Sequence, residues 1–176
     1  MKKQARLILI AGTARNVGKT TLACRFIKEI SAQKQVVALK FTSIKKGQEG
    51  LHKVHEIPQT YFIYEEENIN STKDTARMKK AGAIKSYWVV AQEDYVEEAI
   101  AMFFSKINSD TYIVAESAIL RKYINPRLFI IVDRKEAVNK KKYIQELRPL
   151  VDYWIDDVTT FKLDDIIKLF LVKSLN

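Results

Sequence analysis

Between residues 12 and 21 the chain reads GTARNVGKTT, a grouping of glycines, one lysine and two threonines that suits the binding of a polyphosphate. Glycines let the backbone curl until successive amides point at one anion, a lysine reaches the outer phosphate oxygens, and the hydroxyl that follows it can serve Mg²⁺. The common form of this pattern has four residues between the first glycine and the Gly-Lys-Ser/Thr ending. Here Gly12 stands one residue earlier, with five residues, Thr13 to Val17, before Gly18, Lys19 and Thr20. The context supports the reading more than the spacing does. An apolar run precedes the loop and an amphipathic pattern follows it, which sets the amides at a helix N-terminus with its partial positive charge. Gly18 would admit the backbone to the phosphate, Lys19 reach the β- and γ-phosphates, Thr20 face Mg²⁺, and Thr21 cap the helix or meet the α-phosphate. An ordinary strand–turn–helix connection with an incidental lysine is the alternative.

Other residues of matching chemistry stand at the ends of apolar runs. Glu116 closes YIVAE and Asp133 closes RLFIIVD; in open α/β sheets ligands gather at the carboxyl ends of strands, so either acid could meet a metal, and Glu116 is the preferred one. Lys40, ending VVALK, could face the same crevice or stand in solvent. Ser71 and Asp74 have the spacing of a helix capping box. His52 and His55 are close in sequence, but no third ligand completes a metal set. The guanine-reading pattern Asn-Lys-x-Asp is approached at Asn139 to Lys142, NKKK, without its aspartate, so ATP and GTP both stay open.

Elements able to position these residues follow from periodicity. Near-continuous apolar runs at Arg6 to Ala11, Val36 to Phe41, Ser86 to Ala91, Thr111 to Ala115 and Leu128 to Val132 read as strands covered on both faces. Leu22, Phe26, Ile27 and Ile30, then Val96, Ala99, Ile100, Phe103, Phe104 and Ile107, repeat at helical spacing. Strand and helix alternate, which predicts right-handed βαβ units and an α/β, doubly wound, mostly parallel sheet. A further helix is expected over Lys135 to Leu147, ended by Pro149, and another in LDDIIKLFLVKSL near the C-terminus. Residues 43–71 break this rhythm with two glycines, a proline and many charges. A lid or partner-binding insertion is expected there, with TYFIYEE as a candidate extra edge strand.

A chain of 176 residues suits one domain, here 1–176. With 47% hydrophobic and 29% charged residues and no apolar run of roughly 18 residues, membrane integration is not expected. MKKQARLILIAG has basic residues before an apolar stretch, as a signal peptide does, but Lys19 and Arg25 follow soon, and the first strand of a cytoplasmic protein is the better reading. The single Cys24 cannot form an internal disulfide and is expected in the core. A net charge of +9 would suit nucleic acid, an acidic membrane surface or a polyphosphate. The lysines are dispersed, and Lys79-Lys80 and Lys140-Lys141-Lys142 fall in expected helices as solvated faces, so nucleic acid is not the expected partner.

The loop GTARNVGKTT resembles that of dethiobiotin synthetase, with the same Gly-Thr opening and five intervening residues. KDTARMKKAGA, Lys73 to Ala83, and VVALK, Val36 to Lys40, resemble the molybdopterin-guanine dinucleotide biosynthesis adaptor, the MobB family. IVAES, Ile113 to Ser117, stands where both families carry a strand reading Val-Glu-Gly. The likeness spans most of residues 5–134; Ser117 replaces the usual glycine, Phe41 stands where the adaptor often has histidine, and the C-terminal third matches neither family. The resemblance implies a P-loop NTPase of three-layer architecture. It implies Gly12, Arg15, Asn16, Val17, Gly18, Lys19, Thr20 and Thr21 as nucleotide contacts, joined by Lys40, Asp74 and Arg77 across from the loop. Lys19 and Glu116 become the catalytic candidates, and Thr20 and Glu116 the Mg²⁺ candidates. The activity it implies is Mg-dependent binding and slow hydrolysis of ATP or GTP, or phosphoryl transfer, in an adaptor of molybdenum cofactor synthesis. A dethiobiotin synthetase-like ligase or small-molecule kinase is the second expectation, and a basic nucleic-acid-binding module with a nucleotide site the third. Expected partners, beyond the triphosphate, are a protein, a second copy of the chain or a small acidic substrate.

Overall fold

The computed structural model describes residues 2–45, 59–134, 136–137 and 142–172. Seven strands form one sheet: β1 (Lys2–Gly12), β2 (Val36–Ile44), β3 (Tyr61–Glu65), β4 (Lys85–Gln92), β5 (Tyr112–Glu116), β6 (Ile124–Val132) and β7 (Tyr153–Ile155), in the order β3-β4-β2-β5-β1-β6-β7. All neighbours run parallel except β3 and β4. Helices α1 (Lys19–Ser31), α2 (Asp74–Lys80), α3 (Val96–Ser105) and α4 (Asp164–Val172) flank it.

Strand alternation divides the core in two. On one face Ile8, Ile10, Ala38, Val114 and Ile130 pack against Leu22, Phe26 and Ile30 of α1, Met78 of α2 and Ile167 and Phe170 of α4. On the other, Leu7, Leu9, Leu39, Ile113 and Phe129 meet Val96, Ala99 and Phe103 of α3, with Ile144 and Leu147. Helices on both faces explain why the central strands are apolar in both registers. Register then fixes polar chemistry at one rim: Ile10 and Lys40 both pair with Glu116, so Lys40 and Glu116 emerge on the face that α1 covers.

The strand expectations hold, with β1, β2, β4 and β6 longer than expected and β5 shifted by one residue to Tyr112–Glu116, and TYFIYEE supplies the extra edge strand β3. Of the expected insertion, 43–71, the first two residues complete β2, and residues 46–58, with His52 and His55, lie outside the described residues. Three expectations are corrected. In the described part of the helix foreseen over 135–147 the chain forms a 3₁₀ segment, Lys142–Leu150, with Pro149 inside it; Ile144 and Leu147, three apart, fit the three-residue turn of a 3₁₀ helix as well as an α-helix, so their spacing does not separate the two. Residues 135 and 138–141, with Asn139, Lys140 and Lys141, are outside the described residues. The Ser71–Asp74 capping box is absent: α2 begins at Asp74 with Lys73 as N-cap and no side-chain cap, and Ser71 Oγ accepts from the Lys73 N–H at 3.3 Å. Lys79 is not simply solvated either, since its Nζ donates to the Glu66 carbonyl. Among the described residues no helix is long and apolar enough to cross a membrane.

Candidate functional site

The β1–α1 loop turns through two residues of positive φ, Asn16 (57°) and Gly18 (103°). Asparagine tolerates this region and glycine occupies it without penalty. Gly18 is the α1 N-cap and supplies no side chain, so the first amides of α1 have no side-chain cap there and α1 has no acidic residue in its first turn. Uncapped amides with no acid among them suit an incoming anion. Gly12 is needed for a second reason. A Cβ there would stand 2.6 Å from Lys19 Cδ and 2.7 Å from Val17 Cγ2, so the Lys19 stem lies directly across the end of β1.

Lys19 Nζ donates to the Ala14 carbonyl at 3.0 Å, which curls the lysine over its own loop. Burial pushes the Lys19 ammonium below its ordinary pKa, with Lys40 and Arg15 acting the same way, while Glu116 and Asp74 oppose the shift. Burial removes water from the cation, and nearby carboxylates restore part of what is lost. Thr20 Oγ1 donates to Glu116 Oε2 at 2.7 Å, both side chains buried. That bond joins the first turn of α1 to the end of β5, beside β1. A hydroxyl and a carboxylate, hard oxygen donors held together, fit Mg²⁺, which takes one or two protein oxygens and keeps several waters.

Across from the loop, Lys40 and Asp74 form an ion pair, Arg77 Nη1 lies 3.6 Å from Asp74 Oδ1, and Arg77 Nη2 donates to Thr21 Oγ1 at 3.3 Å. Burial alone would raise the Asp74 carboxyl, but Lys40, Thr20 and Arg77 together hold it below the usual carboxylate range. One polar cluster therefore contains Lys19, Thr20, Thr21, Lys40, Asp74, Arg77 and Glu116, residues drawn from β2, β5, α1 and α2. Arg15 and Asn16 are exposed on the loop, and Val17 is buried beneath it.

Other expected residues are placed elsewhere. Asp133 accepts from Thr13 Oγ1 at 2.6 Å and from the Arg134 N–H at 2.8 Å, closing the start of the loop on the β6 side. Phe41 is buried in the cluster under α3, facing away from Lys40. Ser117 continues the sheet, its N–H donating to the Ile10 carbonyl at 3.0 Å. Cys24 is half-buried against the α1-side core, and burial pushes its thiol up, away from the thiolate a nucleophile needs. Sequence reading missed the C-terminal wall of the loop. Arg25 of α1 donates to the carbonyls of Val158 and, at 2.8 Å, of Phe161, and a Cβ on Gly18 would stand 2.9 Å from Val158 Cγ2. No period or motif in VTTF announces that contact. No family model, curated protein or solved structure matches the chain.

Proposed function

We propose that this protein is a P-loop nucleotide-binding protein that takes a Mg-nucleoside triphosphate, ATP or GTP, at the β1–α1 loop and hydrolyses it slowly or transfers its phosphoryl group. The observation that carries the reading is the buried Thr20–Glu116 hydrogen bond beside a lysine curled over Gly12. A hydroxyl at the start of a helix, an acid at the neighbouring strand end and a cation over the loop are the groups that phosphate, metal and leaving charge require. In this reading the first amides of α1 hold the β-phosphate, Lys19 leaves Ala14 for the terminal phosphates, and Thr20 and Glu116 hold Mg²⁺, Glu116 directly or through water. Bound Mg²⁺ would supply charge neutralisation at the phosphate oxygens. The resemblance to the MobB family favours an adaptor of molybdenum cofactor synthesis whose turnover a partner protein changes. Lys40 and Arg77 beside the loop favour a second reading, a ligase or kinase similar to dethiobiotin synthetase, in which those cations hold a small acid and turnover depends on it.

Calorimetric titration with Mg-ATP and Mg-GTP tests the shared core of both readings. Lys19→Ala removes a charge-assisted contact typically worth about 1.5–3 kcal/mol, so triphosphate affinity should fall about tenfold or more; unchanged affinity in a folded variant would overturn the assignment of the loop.

A further inference from the structure

Gly18 and Arg25 are seven residues apart, about two helical turns, and so lie on one side of α1. That side meets the segment between β7 and α4. The Val158 side chain occupies the place where a side chain at position 18 would start: a Cβ there would stand 2.9 Å from Val158 Cγ2 and 3.1 Å from Cγ1. Further along α1, the Arg25 guanidinium donates to the Val158 carbonyl from Nη1 and to the Phe161 carbonyl from Nη2, the latter at 2.8 Å. Arg25 therefore holds the backbone of the same valine whose side chain rests on Gly18. Arginine suits this task, since its planar fork fixes two carbonyls in one relation, whereas a lysine ammonium is a point charge on a flexible stem.

The segment is itself held in place. The Thr159 N–H and hydroxyl donate to Asp157 Oδ1 at 2.8 and 2.7 Å, Phe161 stands edge-on to Tyr153 of β7 with ring centroids 5.8 Å apart, and Leu163 is buried in the α1-side core. On the other side of the contact, the conformation of Gly18 decides where the loop points. At φ 103° it is the α1 N-cap, and its carbonyl accepts the first helical bond, from the Leu22 N–H at 3.0 Å. Rotation about Gly18 would turn the amides that follow it away from a shared anion. Glycine has no side chain to oppose such rotation, and the Val158 methyls beside its α-carbon supply that resistance. Donors held in place before a ligand arrives bind it more tightly, because the cost of ordering them is already met.

We propose, on the reading of the β1–α1 loop as a triphosphate site, that Arg25 is a positioning residue for that loop: by holding Val158 against Gly18 it fixes the amides at the start of α1 and couples residues 156–161 to triphosphate binding. Coupling is reciprocal, so the ligand must stabilise the segment by the factor by which the segment strengthens the ligand. The test is calorimetric titration with Mg-ATP, Mg-GTP and Mg-tripolyphosphate, together with hydrogen exchange of the 157–161 amides with and without ligand. Arg25→Ala should bind about tenfold more weakly, and Arg25→Lys, which keeps the charge and loses the fork, should stay close to it. Val158→Ala should weaken binding in the same direction, and the double variant should be no weaker than Arg25→Ala, because both changes cut one relay. Saturating ligand should slow exchange at 157–161 about tenfold in the wild type and not in Arg25→Ala. Where Arg25→Ala fails to fold, Val158→Ala and the wild-type exchange carry the test. A lower melting temperature with unchanged affinity would make Arg25 merely structural and overturn the proposal. Full recovery in Arg25→Lys, additive losses in the double variant, or wild-type exchange that ligand leaves unchanged would each overturn it too. A wild type that binds none of the three ligands overturns the reading of the loop and this proposal with it; binding that Lys19→Ala weakens and Arg25→Ala does not overturns this proposal alone.

Discussion

Two strands flank β1, and each ends in a carboxylate, yet the two acids do different work. Glu116, on the β5 side, is buried and accepts from Thr20 in the first turn of α1. Asp133, on the β6 side, is half-exposed and accepts from Thr13 and the Arg134 amide, at the opening of the same loop. The chemistry of the side chains is nearly the same, and the positions differ by which part of the loop they reach. Glu116 shares a register row with Lys40 and Ile10 on the face that α1 covers, next to the helix start. Asp133 follows the last residue of β6 and ties down the residue after Gly12. An acid at a strand end is therefore not informative alone; the neighbour that it bonds decides its role.

Neutralising each acid in turn separates the two roles. Glu116→Gln keeps shape and removes charge, and should lower Mg-dependent turnover by about a hundredfold or more, since charge stabilisation at a phosphoryl site is worth several kcal/mol, while nucleotide affinity stays near that of the parent. Asp133→Asn should leave turnover within a few-fold. Steady-state phosphate release with parallel binding titrations measures both, and an inactive Asp133→Asn beside an active Glu116→Gln would reverse the assignment.

A smaller effect is expected at Gly12. Alanine there puts a methyl where the Lys19 stem and the buried Val17 now lie; the lysine can swing aside but Val17 must repack, so triphosphate affinity should fall about tenfold and the melting temperature by only a few degrees. A melting temperature that collapses would mean that Gly12 serves the β1 packing rather than the lysine.

The smallest effect concerns Asp74. Its pKa is depressed in the folded protein, so its contribution to stability is fully present above the unfolded value of about 3.9 and is lost as pH falls through the folded value. Asp74→Asn should therefore lose stability at neutral pH and show a flatter decline between about pH 5 and pH 2 than the parent. Equal slopes in urea unfolding across that range would show that the Lys40–Asp74 pair contributes nothing to folding.

How far these residues could be read without coordinates depends on how local their signals are. β1, β2, β4, β5 and β6 announce themselves as apolar runs, and α1 through Leu22, Phe26, Ile27 and Ile30, because burial on a periodic element leaves a periodic sequence. β7, only Tyr153–Ile155, is too short for any period, and its place is set by pairing with Ile130 to Val132. The loop and the strand-end acid were both visible as types. The preference for Glu116 over Asp133 beside Thr20 agrees with the Thr20–Glu116 bond, but its cause, a strand order that puts β5 and β6 on opposite sides of β1, leaves no mark in the sequence. The Arg25 bonds to Val158 and Phe161 span most of the chain, and a carbonyl acceptor leaves no mark on the identity of the residue that offers it.

The central claim, that the β1–α1 loop is a triphosphate site, is tested most directly by a crystal structure with Mg²⁺ and a non-hydrolysable triphosphate. The expected structure has the β-phosphate against the first amides of α1, Lys19 Nζ moved from the Ala14 carbonyl to the terminal phosphate oxygens, and Mg²⁺ beside Thr20 Oγ1 and Glu116. A nucleotide bound elsewhere, or a loop still closed by the Lys19–Ala14 bond at saturating ligand, would contradict it.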